Sequence, residues 1–157
     1  MNILFLVVNA MAYTKSDFDH IAHWQKQPQI VMCSDTKVKK ENLQKAIGFW
    51  QQAGYNISNN ITEKYCGHDL YVQNEIRIAG QRDLDTVRYY GMTERQYYGE
   101  NNQTYLLSAN IKFGNNDADN LELIIHELGH ALGIEHEKHD KSHIMHHLVI
   151  ESSTRYN

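Results

Sequence analysis

Four side chains within eleven residues carry most of the chemistry this chain can offer. They are His126, Glu127, His130 and His136, in the run His126-Glu127-Leu128-Gly129-His130-Ala131-Leu132-Gly133-Ile134-Glu135-His136. His126 and His130 are four apart, so on a helix they share one face and can grip a single cation. Glu127 lies about 100° round the same helix, where it can lean toward the open side of the ion without binding it. Gly133 tolerates the positive φ at which helices end, so the chain can turn there and bring His136 back as a third nitrogen donor. Three neutral imidazoles leave a zinc ion its charge and one open position. Water in that position is acidified toward a pKa of ~7, and Glu127 is placed to take its proton. The competing reading is a solvated helix face followed by a histidine-rich tail, because seven of the ten histidines fall between His126 and His147.

The flanking sequence predicts the elements that must position these groups. Asp119-Asn120-Leu121-Glu122 resembles a capping box opening a helix. Leu121, Ile124, Ile125, Leu128, Ala131 and Leu132 then recur at helical spacing and mark the face to be buried. Gly133 ends that helix. Upstream, Gln29 to Ser34 is a short apolar run suited to a strand. Lys37 to Gln52 carries Val38, Leu43, Ala46, Ile47 and Trp50 at helical spacing and stops before Gly54. Tyr71 to Ala79 supplies another strand, and Tyr105 to Phe113 alternates with period two. Gly114-Asn115-Asn116-Asp117 breaks that strand ahead of the metal helix. Tyr97 to Gln103 reads as a polar, aromatic surface loop.

The pattern H-E-x-x-H-x-x-G-x-x-H followed by a methionine-bearing turn, Ser142-His143-Ile144-Met145-His146, resembles the metzincin clan of zinc peptidases. Met145 stands nine positions after His136, a short gap that looks like the matrixin branch. Glu137 and the Ser-x-Met-His run look more like the astacin branch, and His147 stands where a tyrosine is expected. The resemblance implies a metzincin-like α/β (α+β) single domain over 1–157. It would have a mostly parallel twisted sheet, a long helix, an active-site helix and a small C-terminal subdomain. Residues 28–133 would form an upper subdomain and 134–157 a lower one, with 1–27 an N-terminal arm or signal segment. It further implies a zinc-dependent endopeptidase in which Glu127 is general base and acid, His126, His130 and His136 hold one Zn2+, and Met145 is an apolar floor. An extended polypeptide would lie against an edge strand, for which Arg88 to Thr93 is the candidate. His147 can either donate to a reacting oxyanion or remain solvated. His139, His143, His146 and His147 compete with His136 for the third position, and a gluzincin-type site would use a distant carboxylate instead. The reading from another class is a binding or structural protein that keeps zinc only to pin its two halves together.

Composition narrows the partners. A formal charge of −4 and no basic run give no electrostatic footing for nucleic acid. The chain is long enough for one real core, and a monomer is expected. Cys33 and Cys66 can pair outside a reducing compartment or remain a free buried pair, and Cys33 lacks the flanking residues of a latency switch. Ile3 to Val8 followed by Ala10-Met11-Ala12 fits a leader with a cleavage site, with a slight lean to export, but no lysine or arginine precedes it. A first β-strand explains it as well. The run is too short for a membrane span. Cys66, His68 and Asp69 can hold a structural metal or merely form a polar turn. Asp117 and Asp119 can bind calcium or serve the helix cap.

Overall fold

The computed structural model describes residues 13–68, 71–86 and 89–147, so the leader-like run and the end of the chain lie outside the described residues. Six strands form one sheet: β1 (His23–Trp24), β2 (Gln29–Cys33), β3 (Ile61–Lys64), β4 (Glu75–Ala79), β5 (Gly91–Glu100) and β6 (Gln103–Phe113). Among the described residues two α-helices accompany them, α1 (Lys40–Gln52) and α2 (Leu121–Ala131). The order is β1-β6-β4-β2-β3, all parallel, with β5 antiparallel to β6. The expected single α/β domain is therefore present, with a mostly parallel sheet and a long helix ahead of the helix that carries His126.

Alternation along the strands decides where the core sits. Ile30 and Met32 of β2, Ile76 and Ile78 of β4, and Ala109, Ile111 and Phe113 of β6 belong to one buried cluster with Leu43, Ala46, Ile47 and Trp50 of α1 and Leu123, Ile124, Ile125 and Leu128 of α2. This is the apolar face of each strand meeting the apolar stripe of each helix. Trp50 links the helices directly, its indole N–H donating to the Ile125 carbonyl at 2.9 Å.

The other face of the sheet is buried too, which alternation alone does not predict. All five residues of β4 are buried, including Glu75 and Arg77. Arg77 Nε donates to Glu75 Oε2 at 2.7 Å and Lys64 Nζ to Glu75 Oε1 at 2.9 Å, so the charges are paired rather than stranded. Burial works against the Glu75 carboxylate, but these two cations outweigh it and hold its pKa below the ordinary value. Lys112 is paired with Glu94 at 3.0 Å in the same layer.

Beside that layer Val31, Cys33, Cys66 and Ala79 form a small second cluster. Cys33 and Cys66 are joined as a disulfide, which resolves the open question about the cysteines. It also removes Cys66 as a metal ligand, because its sulfur has no lone thiolate to give. Asp69 lies outside the described residues. The bridge spans 33 residues of sequence. In the chain-entropy account a loop of that size stabilises by about 3–4 kcal/mol, so reductant is expected to lower the Tm by about 10 °C. Thermal melts with and without dithiothreitol check this, and coincident curves would refute it.

Several boundaries differ from expectation for local reasons. The Tyr71 strand begins only at Glu75, because Asn74 takes a positive φ of 65°. The helix cap is Asn120, whose side chain accepts from Leu123 N at 3.2 Å, and not Asp119, which instead pairs with Lys39 across an exposed 3.7 Å. Tyr97 to Gln103 is no loop. β5 runs to Glu100 and turns at Asn101 and Asn102, with φ of 51° and 61°, straight into β6. Two asparagines at positive φ are the signature of a tight hairpin turn. The edge strand thus starts at Gly91 and is longer than the Arg88 to Thr93 segment, of which Arg88 is outside the described residues. The short strands β1 and β3 carry too little periodicity to be read from sequence. Among the described residues no helix is long and apolar enough to cross a membrane.

Candidate functional site

α2 ends as the sequence requires. Gly133 has φ of +96°, and a Cβ there would lie 2.0 Å from the Ala22 carbonyl oxygen. Glycine is needed both for the turn and for the close approach of the segment that crosses it. That segment is tied down on both sides of the glycine: Ile21 N donates to Gly133 O at 2.9 Å and Glu135 N to Asp19 O at 2.9 Å. The last carbonyls of the helix find side-chain donors, as helix ends demand. Trp24 Nε1 donates to Ala131 O at 2.8 Å, and Arg95 Nη1 donates to His130 O at 3.1 Å and Ile134 O at 3.4 Å.

The returned chain brings three imidazoles together. The Nε2 atoms of His126, His130 and His136 form a near-equilateral triangle with sides of 3.2, 3.1 and 3.1 Å. His126 Nδ1 donates to the Ile144 carbonyl and His130 Nδ1 to the Ile134 carbonyl, each at 2.8 Å. A carbonyl can only accept, so in each neutral ring the proton sits on Nδ1 and the Nε2 lone pair faces its neighbours. Three such nitrogens cannot satisfy one another, because His136 has at most one proton to share. A cation between them can. Tetrahedral zinc with Zn–N near 2.05 Å sets its nitrogens about 3.3 Å apart, within a few tenths of an ångström of this triangle. Among the described residues this is the one group of three histidine, cysteine or acidic side chains whose donor atoms converge tightly enough to hold a metal.

Electrostatics agree with a donor set kept neutral. Burial, with the neighbouring histidines adding to it, pushes His126 down to about 3 and His130 to about 4, and lowers His136 as well. Glu127 moves the other way. Burial raises it to about 7, against the pull of the Thr93 hydroxyl and the Arg95 charge. Thr93 Oγ1 lies 2.6 Å from Glu127 Oε2 and 3.0 Å from the Glu127 carbonyl. The carboxyl and the three imidazoles line one cleft of about 430 Å3, whose far wall is the start of β5 with Tyr89 and Tyr90 before it.

The other histidines of this run stand outside the triangle, though His147 lines the same cleft. His143 is buried, with its Nδ1 accepting from Met145 N at 3.1 Å and its ring edge-on to Tyr13 and Phe18. His146 stacks on His147, whose ring centroid is 6.0 Å from that of His136. His139 is exposed. Glu137, which suggested the astacin branch, accepts from His139 N at 2.7 Å and so shapes its own turn. Asp117 and Asp119 gather no further carboxylates among the described residues.

Met145 is fully buried directly against the helix. A Cβ on Gly129 would lie 2.6 Å from both Met145 Sδ and Trp50 Cζ2. Gly129 is therefore the notch that lets the methionine turn dock, a role that the spacing alone did not disclose. Gly129→Ala gains about 1 kcal/mol of helix propensity but overpacks two buried side chains at a cost of about 1–3 kcal/mol. The net expectation is a lower urea midpoint at unchanged m-value, and a raised midpoint would count against the notch. Sequence reasoning also missed Arg95, the bond from Thr93 to Glu127, and the hydrogen bond from Trp50 to Ile125, although it placed Thr93 in the edge strand and Trp50 in the core.

A helix bearing paired histidines, a glycine bend that returns a third, and a buried methionine packed on Gly129 of that helix fit a metzincin-type domain. Family comparison is more specific: the Matrixin model matches residues 12–156, and the chain belongs to the matrixin family, whose kind of function is that of a zinc metallopeptidase acting on peptides. No significant match was found among curated proteins or among solved structures.

Proposed function

We propose that this chain is a zinc-dependent endopeptidase, with His126, His130 and His136 as the metal ligands and Glu127 as general base and acid. The observation that carries the proposal is the triangle of Nε2 atoms with 3.1–3.2 Å sides beside a buried carboxyl. Bound there, zinc supplies Lewis-acid polarisation and an acidified water. The chain supplies the rest. The two backbone carbonyls on His126 and His130 fix the tautomers that present Nε2, an outer shell of the kind that tunes metal ligands. Glu127 takes a proton from the attacking water and returns it to the departing amine nitrogen. Its position in the cleft weighs against a purely structural zinc site, which has no use for a carboxyl beside an open side. The outer edge of β5 offers main-chain groups to an extended polypeptide by strand addition, with Glu135, His136 and His147 lining the same cleft. The Cys33–Cys66 bridge supports a place of action outside reducing compartments.

The experiment is hydrolysis of casein or a peptide library by purified protein, with and without chelator, alongside zinc analysis. The expected result is one zinc per chain and cleavage that chelator abolishes and zinc restores. Cleavage indifferent to chelator, or zinc bound with no cleavage of any substrate, would overturn the reading.

A further inference from the structure

β5 does more than offer an edge to substrate: it touches the proposed base. Gly91 and Thr93 lie on the same face of that strand, toward α2. A Cβ at Gly91 would sit 3.1 Å from Glu127 Cγ, so the strand packs tightly against the stem of that side chain. Thr93 then places its hydroxyl 2.6 Å from Glu127 Oε2. That separation falls in the ~2.5–2.7 Å range of a hydroxyl donating to a charged carboxylate oxygen. Among the described residues Glu127 Oε1 has no hydrogen-bond partner, and Glu127 lines the same cleft as the three imidazoles. The two oxygens of one carboxyl are thereby made different.

We propose that Thr93 is the positioning residue of Glu127: its hydroxyl pins Oε2 and leaves Oε1 as the oxygen that handles the proton. The inference rests on the peptidase reading given above. A glutamate has three side-chain torsions and several rotamers within reach of a cleft this size, and a productive base must hold its acceptor within hydrogen-bond range of the proton it takes. Thr93 restricts that freedom through one hydroxyl, which lies 2.6 Å from Oε2 and 3.0 Å from the Glu127 carbonyl, the shorter contact being to the carboxyl. Because Thr93 belongs to the strand that would pair with substrate, the same residue sets the substrate main chain in register with the base. Arg95, two residues on, keeps its guanidinium on the end of α2 and on Glu135 at 3.1 Å, so the strand and helix cannot slide apart to release the bond.

The test compares Thr93→Val, which keeps the shape and removes the donor, with Thr93→Ser, which keeps the donor. In Thr93→Val, kcat is expected to fall at least about tenfold, with KM within about twofold and zinc content unchanged, and Thr93→Ser to recover to within about threefold of wild type. Wild-type kcat in Thr93→Val, or a Thr93→Ser variant as slow as Thr93→Val, would overturn the proposal. A second measurement does not depend on turnover. The Glu127 carboxylate stretch, isolated as the infrared band lost in Glu127→Gln, is expected to shift in Thr93→Val and not in Thr93→Ser. An unshifted band overturns the hydrogen bond itself. Absence of cleavage by the wild type overturns the peptidase reading and with it the role of Thr93, and the band separates that failure from a missing bond.

Discussion

Glu127→Gln is expected to lower peptide hydrolysis by about a thousandfold, within the ~10²–10⁴ range of general-base removal, and at the same time to make the metal-free protein more stable at pH 8. The two effects have one cause. Glu127 sits on a helix between histidines, almost wholly buried, with one hydroxyl for company. Burial disfavours its charged form and raises its pKa from 4.5 to about 7. An acid whose folded pKa exceeds its unfolded value holds its proton longer in the folded state. Between pH 4.5 and 7 the unfolded chain has therefore already released a proton that the folded one retains, and stability falls as pH rises through that window. The penalty is absent below pH 4.5 and complete above 7, on the order of 3 kcal/mol for a shift of this size. Glutamine never ionises and escapes it. Urea unfolding of both proteins in chelator at pH 4 and pH 8 checks this: the midpoints should coincide at the lower pH and separate at the higher. Equal midpoints at both would mean that the carboxyl is not strained by its surroundings, and retained hydrolysis would mean that another group is the base.

The parts of the site legible in the sequence are those whose partners are close along the chain. His126, Glu127 and His130 are placed by helical periodicity, and Gly133 with His136 by a single turn. No long-range information is needed to set a triangle whose corners lie within eleven residues. Thr93 and Arg95 were not legible, because their bonds to Glu127 and Glu135 cross 34 and 40 residues. Only the antiparallel register of β5 on β6 brings them onto α2. A period-two reading of Thr93, Arg95 and Tyr97 could have flagged one face of a strand, had Asn101-Asn102 first been recognised as a hairpin turn. Trp50 was legible as core but not as a donor to Ile125, 75 residues away.

The sheet repeats the lesson. In β4, Ile76 and Ile78 join the helix-side core, whereas alternation alone would leave Glu75 and Arg77 on a wet opposite side. That side is dry because the chain that follows β3 is drawn over it, Cys66 bonding to Cys33 and offering its carbonyl to Arg77 at 3.4 Å. A disulfide and an ion-pair layer do there what apolar packing does on the other face. Spacing cannot reveal a cover made by a loop.

His136→Ala is expected to weaken zinc binding at least a hundredfold, whereas His139→Ala should leave it within about threefold. Loss of an outer-shell partner alone costs ~10–100-fold, so loss of a ligand sets a higher floor. His139 is exposed and outside the triangle. Competition with a chromogenic chelator measures both. Equal affinities in wild type and His136→Ala would hand the third position to another group, such as a carboxylate. The pH dependence follows from the same imidazoles. His126 and His130 have folded pKa values of about 3 and 4, below the ordinary 6.5, with burial as the first cause. As pH falls below 6.5 the unfolded chain takes up protons before the folded one, so the metal-free protein loses stability progressively from there down to about pH 3. Protons and metal compete for the same Nε2 lone pairs. Because burial keeps those lone pairs free, zinc should stay bound well below pH 6.5 and leave with unfolding. A fluorescence titration of zinc release run beside circular dichroism tests the coupling. Release complete near pH 6.5 with the fold intact would mean that the histidines titrate as free imidazoles and that burial does not hold them neutral.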